Sequence, residues 1–405
     1  MTDSQSPTWT IGARWVFPVN APPLERGTVT IQRDRIVAVE PHGASKPDLM
    51  FDTAALLPGL VNAHTHLDLS GLRGECPPGP DFTAWLRAVI SHRRAQTPAQ
   101  TKADIHIGLA ESMAYGVTLL GDISTAGFSW SVLENGPIRS VVFRELLGLS
   151  EDRARQAAAE AFDWLEERPP TAVCRPGLSP HAPYSVSKTL FTKAAGFAEW
   201  FDTPLATHLA ESPAEIELLA TKTGPFVAFL EELNVWSPEG LARSPQEVMD
   251  LSEEVPTIFV HANYLGDDSV VPNQSTIVFC PRTHAAFGHG DYPLRRYLKN
   301  GIRVALGTDS LASNPDLSVL SEARMVRRRF PDVNGKTIFK MMTHWGAKAL
   351  GWSSETGSLT AGKSADLVVI PVDQGSDPHE LVLQSDTPAQ AVLFRGKWIH
   401  GKVYR

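Results

Sequence analysis

The chain has 405 residues, a formal net charge of -8, 42% hydrophobic residues and 20% charged residues. That balance is a globular one, and the absence of a dense Lys/Arg block argues against nucleic acid as a partner. The run Arg327, Arg328 and Arg329 reads as a solvated helix face. The 3 cysteines, Cys76, Cys174 and Cys280, are odd in number and widely spaced, with no CxxC pair. They exclude a disulfide framework and the cysteine-ligated zinc deaminase signature, and they suit a reducing cytoplasm. The opening "MTDSQSPTWTIGARWVF" lacks a basic region followed by an apolar one, and no window is apolar for long enough to span a bilayer. The expectation is a cytoplasmic protein with no membrane partner.

Taken in chain order, the first segments alternate apolar and polar residues between turn signals. "WTIGARWVFPV", "GTVTIQ" and "RIVAVEP" read as short antiparallel strands. From about Leu57 the rhythm changes. Eight short strand candidates come next: "GLVNAH", "VTLLGD", "SVVFRE", "CRPGLS", "PLATH", "TIFVH", "TIVFCP" and "RVALGTD". Between them lie helical stretches such as "ADIHIGLAESMAY", "DRARQAAAEAFDWLEE" and "SVLSEARMVRRRF". This alternation predicts βα units around a parallel sheet, and eight of them make a (β/α)8 TIM barrel. The tail, "SADLVVIPVD" and "AQAVLFRGKWIHGKVYR", returns to strands. Residues 1–56 and 357–405 are therefore expected to build one small β-sandwich from both termini, attached to a barrel over residues 57–356.

Nearly every strand candidate ends in an ionisable or metal-binding side chain. In order these residues are His64 and His66; Asp122; Arg144 and Glu145; His181; His208 and Glu211; His261; Arg282 and His284; and Asp309. The C-terminal strand ends of such a barrel converge on one mouth, so residues distant in sequence become neighbours there. His64 and His66, two apart on a strand, point to the same side. With His208 and Asp309 they offer three imidazoles and a carboxylate, a set suited to one divalent transition metal, Zn²⁺ first and Fe²⁺ second, rather than Ca²⁺ or Mg²⁺. Such an ion lowers the pKa of water. Glu211 is then the candidate acid for an acceptor nitrogen and a leaving group, and His261 and Asp309 are candidates to hold and deprotonate the water.

"PGLVNAHTHLDLS", "THLAES", "VHANYL" and "LGTDSLASN", in that order, resemble the amidohydrolase superfamily, and within it the deaminase and chlorohydrolase branch. The resemblance covers essentially the whole chain. It implies metal ligands His64, His66, His208 and Asp309, with Glu211 and His261 as the catalytic pair. "GLSPHAPYSVS" carries His181 and no lysine before Lys188, which implies one metal rather than a pair bridged by a carboxylated lysine. His181 is similar to the substrate-binding histidine of adenosine-type deaminases.

The segment "DFTAWLRAVISHRR" after "HTHLDLSGLRG" is similar to the aminodeoxyfutalosine deaminases of menaquinone biosynthesis. It places Trp85 as a stacking surface for a purine or side ring. Arg144 and Glu145 are expected to read polar substituents such as a ribose or a carboxylate. "CPRTH" departs from the related "CPxS" pattern and brings Arg282 and His284 toward the pocket. The substrate expected is a small purine-type compound, and a homodimer is an open assembly. Alternatives on the same site are deamination of methylthioadenosine, S-adenosylhomocysteine or adenosine, and triazine dechlorination or deamination. A metal-free binding barrel is the non-enzymatic alternative.

Overall fold

The computed structural model describes residues 7–401. Five strands come first: β1 (Thr8–Val16), β2 (Leu24–Glu25), β3 (Thr28–Gln32), β4 (Arg35–Glu40) and β5 (Leu49–Pro58). The next eight are parallel and neighbours in sequence order: β6 (Leu60–Thr65), β7 (Val117–Ser124), β8 (Arg139–Leu146), β9 (Cys174–Pro180), β10 (Leu205–Leu209), β11 (Thr257–His261), β12 (Thr276–Phe279) and β13 (Val304–Leu306). A parallel bridge between Thr65 and Asp309 brings the last strand back to the first. All eight barrel strands read from the sequence are present, with helices between them, and the fold is a (β/α)8 barrel. The chain ends with β14 (Leu367–Pro371), β15 (Ala391–Phe394) and β16 (Lys397–His400). The last residues of the expected terminal strand, 402–405, lie outside the described residues.

The strands of the two chain ends join in one hydrogen-bonded path, β16-β15-β14-β5-β1-β3-β4, with β2 on β1. β1 pairs antiparallel with β3, as its pattern suggests, but parallel with β5. Successive side chains of a strand face opposite ways, and β5 uses both faces. Ala54 and Leu56 pack with Ile11, Val29, Leu367 and Leu393 into a core belonging to the terminal sheet. Ala55 and Leu57 pack instead into the large core between barrel and helices. One strand thus welds the two parts together. Gly59 comes directly after it, and a Cβ there would lie 2.0 Å from Thr118 Oγ1, so the chain can pass into β6 at this point only without a side chain.

A second weld is ionic. The Arg139 guanidinium on β8 pairs with Asp366 just before β14, and the two side chains are 2% and 0% exposed. Asp366 also accepts the Arg395 N–H at 3.0 Å and the Ser364 hydroxyl at 2.8 Å. Breaking such a pair leaves one buried charge uncompensated. Arg139→Ala is therefore expected to lower the unfolding free energy by about 3 kcal/mol, measured by urea denaturation. A loss below about 0.5 kcal/mol, the scale of a surface pair, would show that the link contributes little.

Candidate active site at the barrel mouth

Three backbone irregularities aim the side chains. In β6 the register with β7 shifts between Asn62 and Thr65, a bulge that resets the alternation just where His64 and His66 begin. His208, two residues beyond inward-facing Ala206, keeps the inward phase of β10. His261 is registered with Leu209, which packs outward under the helices, so plain alternation would send it the same way. Its φ of 68° is left-handed, and its ring turns into the mouth. Asp309, at φ 58°, shares that conformation. Non-glycine residues held there cost roughly 1–3 kcal/mol each, and such strain collects at functional sites.

The side chains converge closely. His66 Nε2 lies 3.2 Å from His208 Nε2, and Asp309 Oδ1 is 3.5 Å from His66 Nε2 and 3.6 Å from His64 Nε2. His208 Nδ1–H donates to the His181 carbonyl at 2.9 Å, which fixes the tautomer and leaves Nε2 with a bare lone pair. Burial, then the neighbouring His64, pushes His66 and His208 well below the usual histidine range, so both are neutral. Burial would raise the Asp309 carboxyl, but the pull of His64, His66 and His261 holds it below the usual carboxylate range. The buried Nε2 atoms of His64 and His261 have no hydrogen-bond partner in the protein. Donor atoms of His64, His66 and Asp309 lie within 4.8 Å of one another, as do those of His64, His208 and His261. Converging bare nitrogens beside a carboxylate repel one another unless a cation sits among them, so this site fits a divalent transition metal.

Glu211 stands just beyond β10 at the edge of this cluster, with Oε1 3.3 Å from His261 Nε2. Burial, then the charge of Asp309, pushes its carboxyl well above the usual range, which favours the protonated form. Burial drives His261 the other way, well below its usual range. The two shifts run in opposite directions, one favouring the neutral carboxyl and the other the neutral imidazole, as suits an acid beside a base in a buried site.

A cavity of about 460 Å³ opens over the cluster and is lined at its base by His66, His208, Glu211, His261 and Asp309. Of the residues expected to meet a substrate, Trp85, Glu145 and His181 line it. Trp85 is anchored by its indole N–H to the Cys76 carbonyl at 3.1 Å and packs on Phe82 and Phe287. His181, taken by burial down to about 3 and hence neutral, has Nδ1 2.7 Å from the Ser185 hydroxyl.

Arg144 and His284 are placed elsewhere. On β8, Val141 and Phe143 face the barrel interior with Glu145, so Arg144 faces out among the helices. There it binds Glu160 at 2.9 Å and the Ala126 carbonyl at 2.9 Å. His284 lies off the cavity, 3.2 Å from an Arg329 nitrogen and packed against His289 and Tyr292. Arg282 is also structural: it binds Glu322 at 2.6 Å and Asp316 at 2.7 Å. Glu322 in turn takes the Asn314 amide that also reaches the Thr308 carbonyl, beside Asp309.

Sequence reasoning passed over Arg93. It lies on the helix Phe82–Ala95 with Trp85 and Val89 at four-residue spacing, so the three share the face that lines the cavity. Its guanidinium sits between Glu145 at 3.2 Å and Asp68 at 3.4 Å. The four-residue period from Trp85 was the signal that could have found it.

The profile of the amidohydrolase family matches residues 55–399. An aminodeoxyfutalosine deaminase of Nitratiruptor sp. is 27% identical over 378 residues, covering 90% of this chain and 91% of its own. A 5-methylthioadenosine/S-adenosylhomocysteine deaminase of Pyrococcus furiosus is 30% identical over 395 residues, covering 92% and 88%. Among solved structures, aminofutalosine deaminase of Helicobacter pylori, in complex with methylthio-coformycin, superposes with a TM-score of 0.85 at 25% identity over 97% of this chain and all of the other. From the profile, which takes in the whole barrel and the C-terminal sheet strands, and from relatives that match along nearly their whole length, the chain belongs to the amidohydrolase family of hydrolases acting on carbon–nitrogen bonds.

Proposed function

We propose that this protein hydrolytically deaminates a 6-aminopurine nucleoside compound, aminodeoxyfutalosine before methylthioadenosine, S-adenosylhomocysteine or adenosine. The observation that carries the reading is the buried Glu211 carboxyl, its Oε1 3.3 Å from His261 Nε2, at the base of a cavity that an aromatic and aliphatic wall completes. His64, His66, His208 and Asp309 would hold one divalent metal, zinc before iron. A metal bound there supplies the Lewis acidity that lets water attack at neutral pH.

The chain's own groups supply the remainder. Asp309 and His261 orient the attacking water and accept its proton. Glu211 gives its proton to the ring nitrogen next to the amine-bearing carbon; of the water's two protons, released as it attacks and as the carbonyl forms, one goes to the departing amine and one returns to Glu211. The new C–O bond replaces the C–N bond, and ammonia leaves. His181 and Trp85 position the purine. Arg93 is held between Asp68 and Glu145, while Arg94 and Arg153 also line the cavity, so its wall offers positive charge for an anionic substituent as well as an acceptor in Glu145. Glu145 and Arg93 together suit a ribose hydroxyl, which donates to the carboxylate and accepts from the guanidinium. The relatives' activities support a nucleoside substrate, and the amine-bearing carbon of a 6-aminopurine matches what this acid and water require.

Ammonia release is expected from aminodeoxyfutalosine in a panel with methylthioadenosine, S-adenosylhomocysteine, adenosine and a triazine; silence on every purine with triazine turnover would reverse the reading. Glu211→Gln should keep its metal and lose kcat by about a hundredfold or more. Metal analysis should find about one equivalent, and chelation should lower the thermal midpoint, since a ligand bound to the native state stabilises it. Less than about half an equivalent after careful purification would favour a metal-free binding barrel. Glu145→Gln should lower kcat/KM for adenosine about tenfold and leave 2′-deoxyadenosine nearly unchanged, and equal losses on both would remove Glu145 from ribose recognition.

A further inference from the structure

Glu215 is fully buried, one helical turn past Glu211, and a carboxyl is placed there only at a cost that its partners must offset. It stands in the first turn of the helix Pro213–Thr221, which Ser212 caps by accepting the Glu215 N–H at 3.2 Å. A glutamate three residues after such a cap ordinarily reaches back to the N–H of the cap residue itself. Glu215 reaches past it. Its Oε1 accepts the Ala210 N–H at 2.7 Å and its Oε2 the Glu211 N–H at 3.0 Å. These amides belong to the turn that leaves β10, where Ala210 is left-handed at φ 51° without being glycine. From the β11 side the Tyr264 N–H meets the Ala210 carbonyl at 3.0 Å, and the Asn263 side-chain amide meets the Glu211 carbonyl at 2.9 Å. Glu215 thus takes both N–H groups of the turn while the β11 side takes both carbonyls.

We propose that Glu215 is a positioning residue, whose carboxyl clamps the two amides of a strained turn and so holds the Glu211 carboxyl against His261. The role rests on the reading of Glu211 as the acid. A residue serving only to cap the helix would bond Ser212 and would leave the turn's amides to others.

The test is a double-mutant cycle of Glu211→Gln and Glu215→Gln on zinc-loaded full-length protein, with adenosine as substrate. Glutamine offers one acceptor oxygen and one NH₂, so one of the two amides faces a donor. A misplacement of about 1 Å at a reacting group can cost about a hundredfold, so Glu215→Gln alone should lower kcat about 30-fold with KM within about threefold. Zinc content should be unchanged, and Glu215→Gln should add no further loss in the Glu211→Gln background. Fully additive losses, or a change in KM alone, would overturn the proposal. Ser212→Ala, the helix-cap control, should lower stability and spare kcat. Should Glu215→Gln fail to fold, Glu215→Asp, too short to reach both amides, is read in the same way. A crystal structure of the variant gives a readout free of activity: the Glu211 carboxyl should move away from His261, and an unmoved carboxyl would refute the clamp. If wild-type protein deaminates no purine while that displacement is seen, the functional reading fails and the clamp stands.

Discussion

One carbonyl holds the site together. The oxygen of His64 accepts the N–H groups of both Thr308 and Asp309 at 3.1 Å, where the last barrel strand returns to the first. Thr65 adds its hydroxyl to the Asp309 carbonyl at 2.9 Å. The approach is so close that a Cβ on Gly307 would sit 2.9 Å from that same carbonyl oxygen. Barrel closure and the meeting of the first histidine with the last aspartate are therefore one event, because the hydrogen bonds that close the sheet are made by the residues whose side chains form the cluster.

The interior then does with burial what solution cannot. The imidazoles of His66, His181, His208 and His261 are all pushed toward neutrality, while the Asp309 carboxyl is held below its usual range and the Glu211 carboxyl is pushed above it. Two carboxyl groups in one pocket are pushed in opposite directions because several imidazoles and the Ser313 hydroxyl, at 2.9 Å, surround Asp309, whereas burial and the charge of Asp309 prevail at Glu211. Further up the wall, Arg93, Asp68 and Glu145 neutralise one another in part, so charge at the base of the cavity stays separate from charge at its side.

The barrel was legible because its eight strands are apolar runs that end in ionisable residues, a pattern that survives without any alignment. His64, His66, His208 and Asp309 could be read together for the same reason. Legibility failed where direction, rather than position, mattered. Arg144 and Glu145 are adjacent at a strand end, and only the inward phase of Val141 and Phe143 tells which one meets the cavity. His284 carries the right chemistry in the wrong layer. Glu215 and Arg93 left no motif, since the first acts through backbone amides and the second depends on how a helix face turns. The left-handed φ that swings His261 inward is likewise invisible in "FVHANYL".

The junction at β5 has a consequence for how the molecule is made. Leu56 on β5 pairs with Val369 on β14, and Gly59 alone separates β5 from the first barrel strand. During synthesis, β5 emerges long before the strand that covers its edge. Contacts between such distant parts of a chain form slowly. The ligand strand β6 thus hangs from a support that is completed only after the Asp309 strand has been made, so a nascent chain would have neither a finished first strand nor its last ligand. A metal held by the residues proposed above would accordingly be captured late in folding, and an interrupted chain would carry the histidine pair without the means to hold it in place.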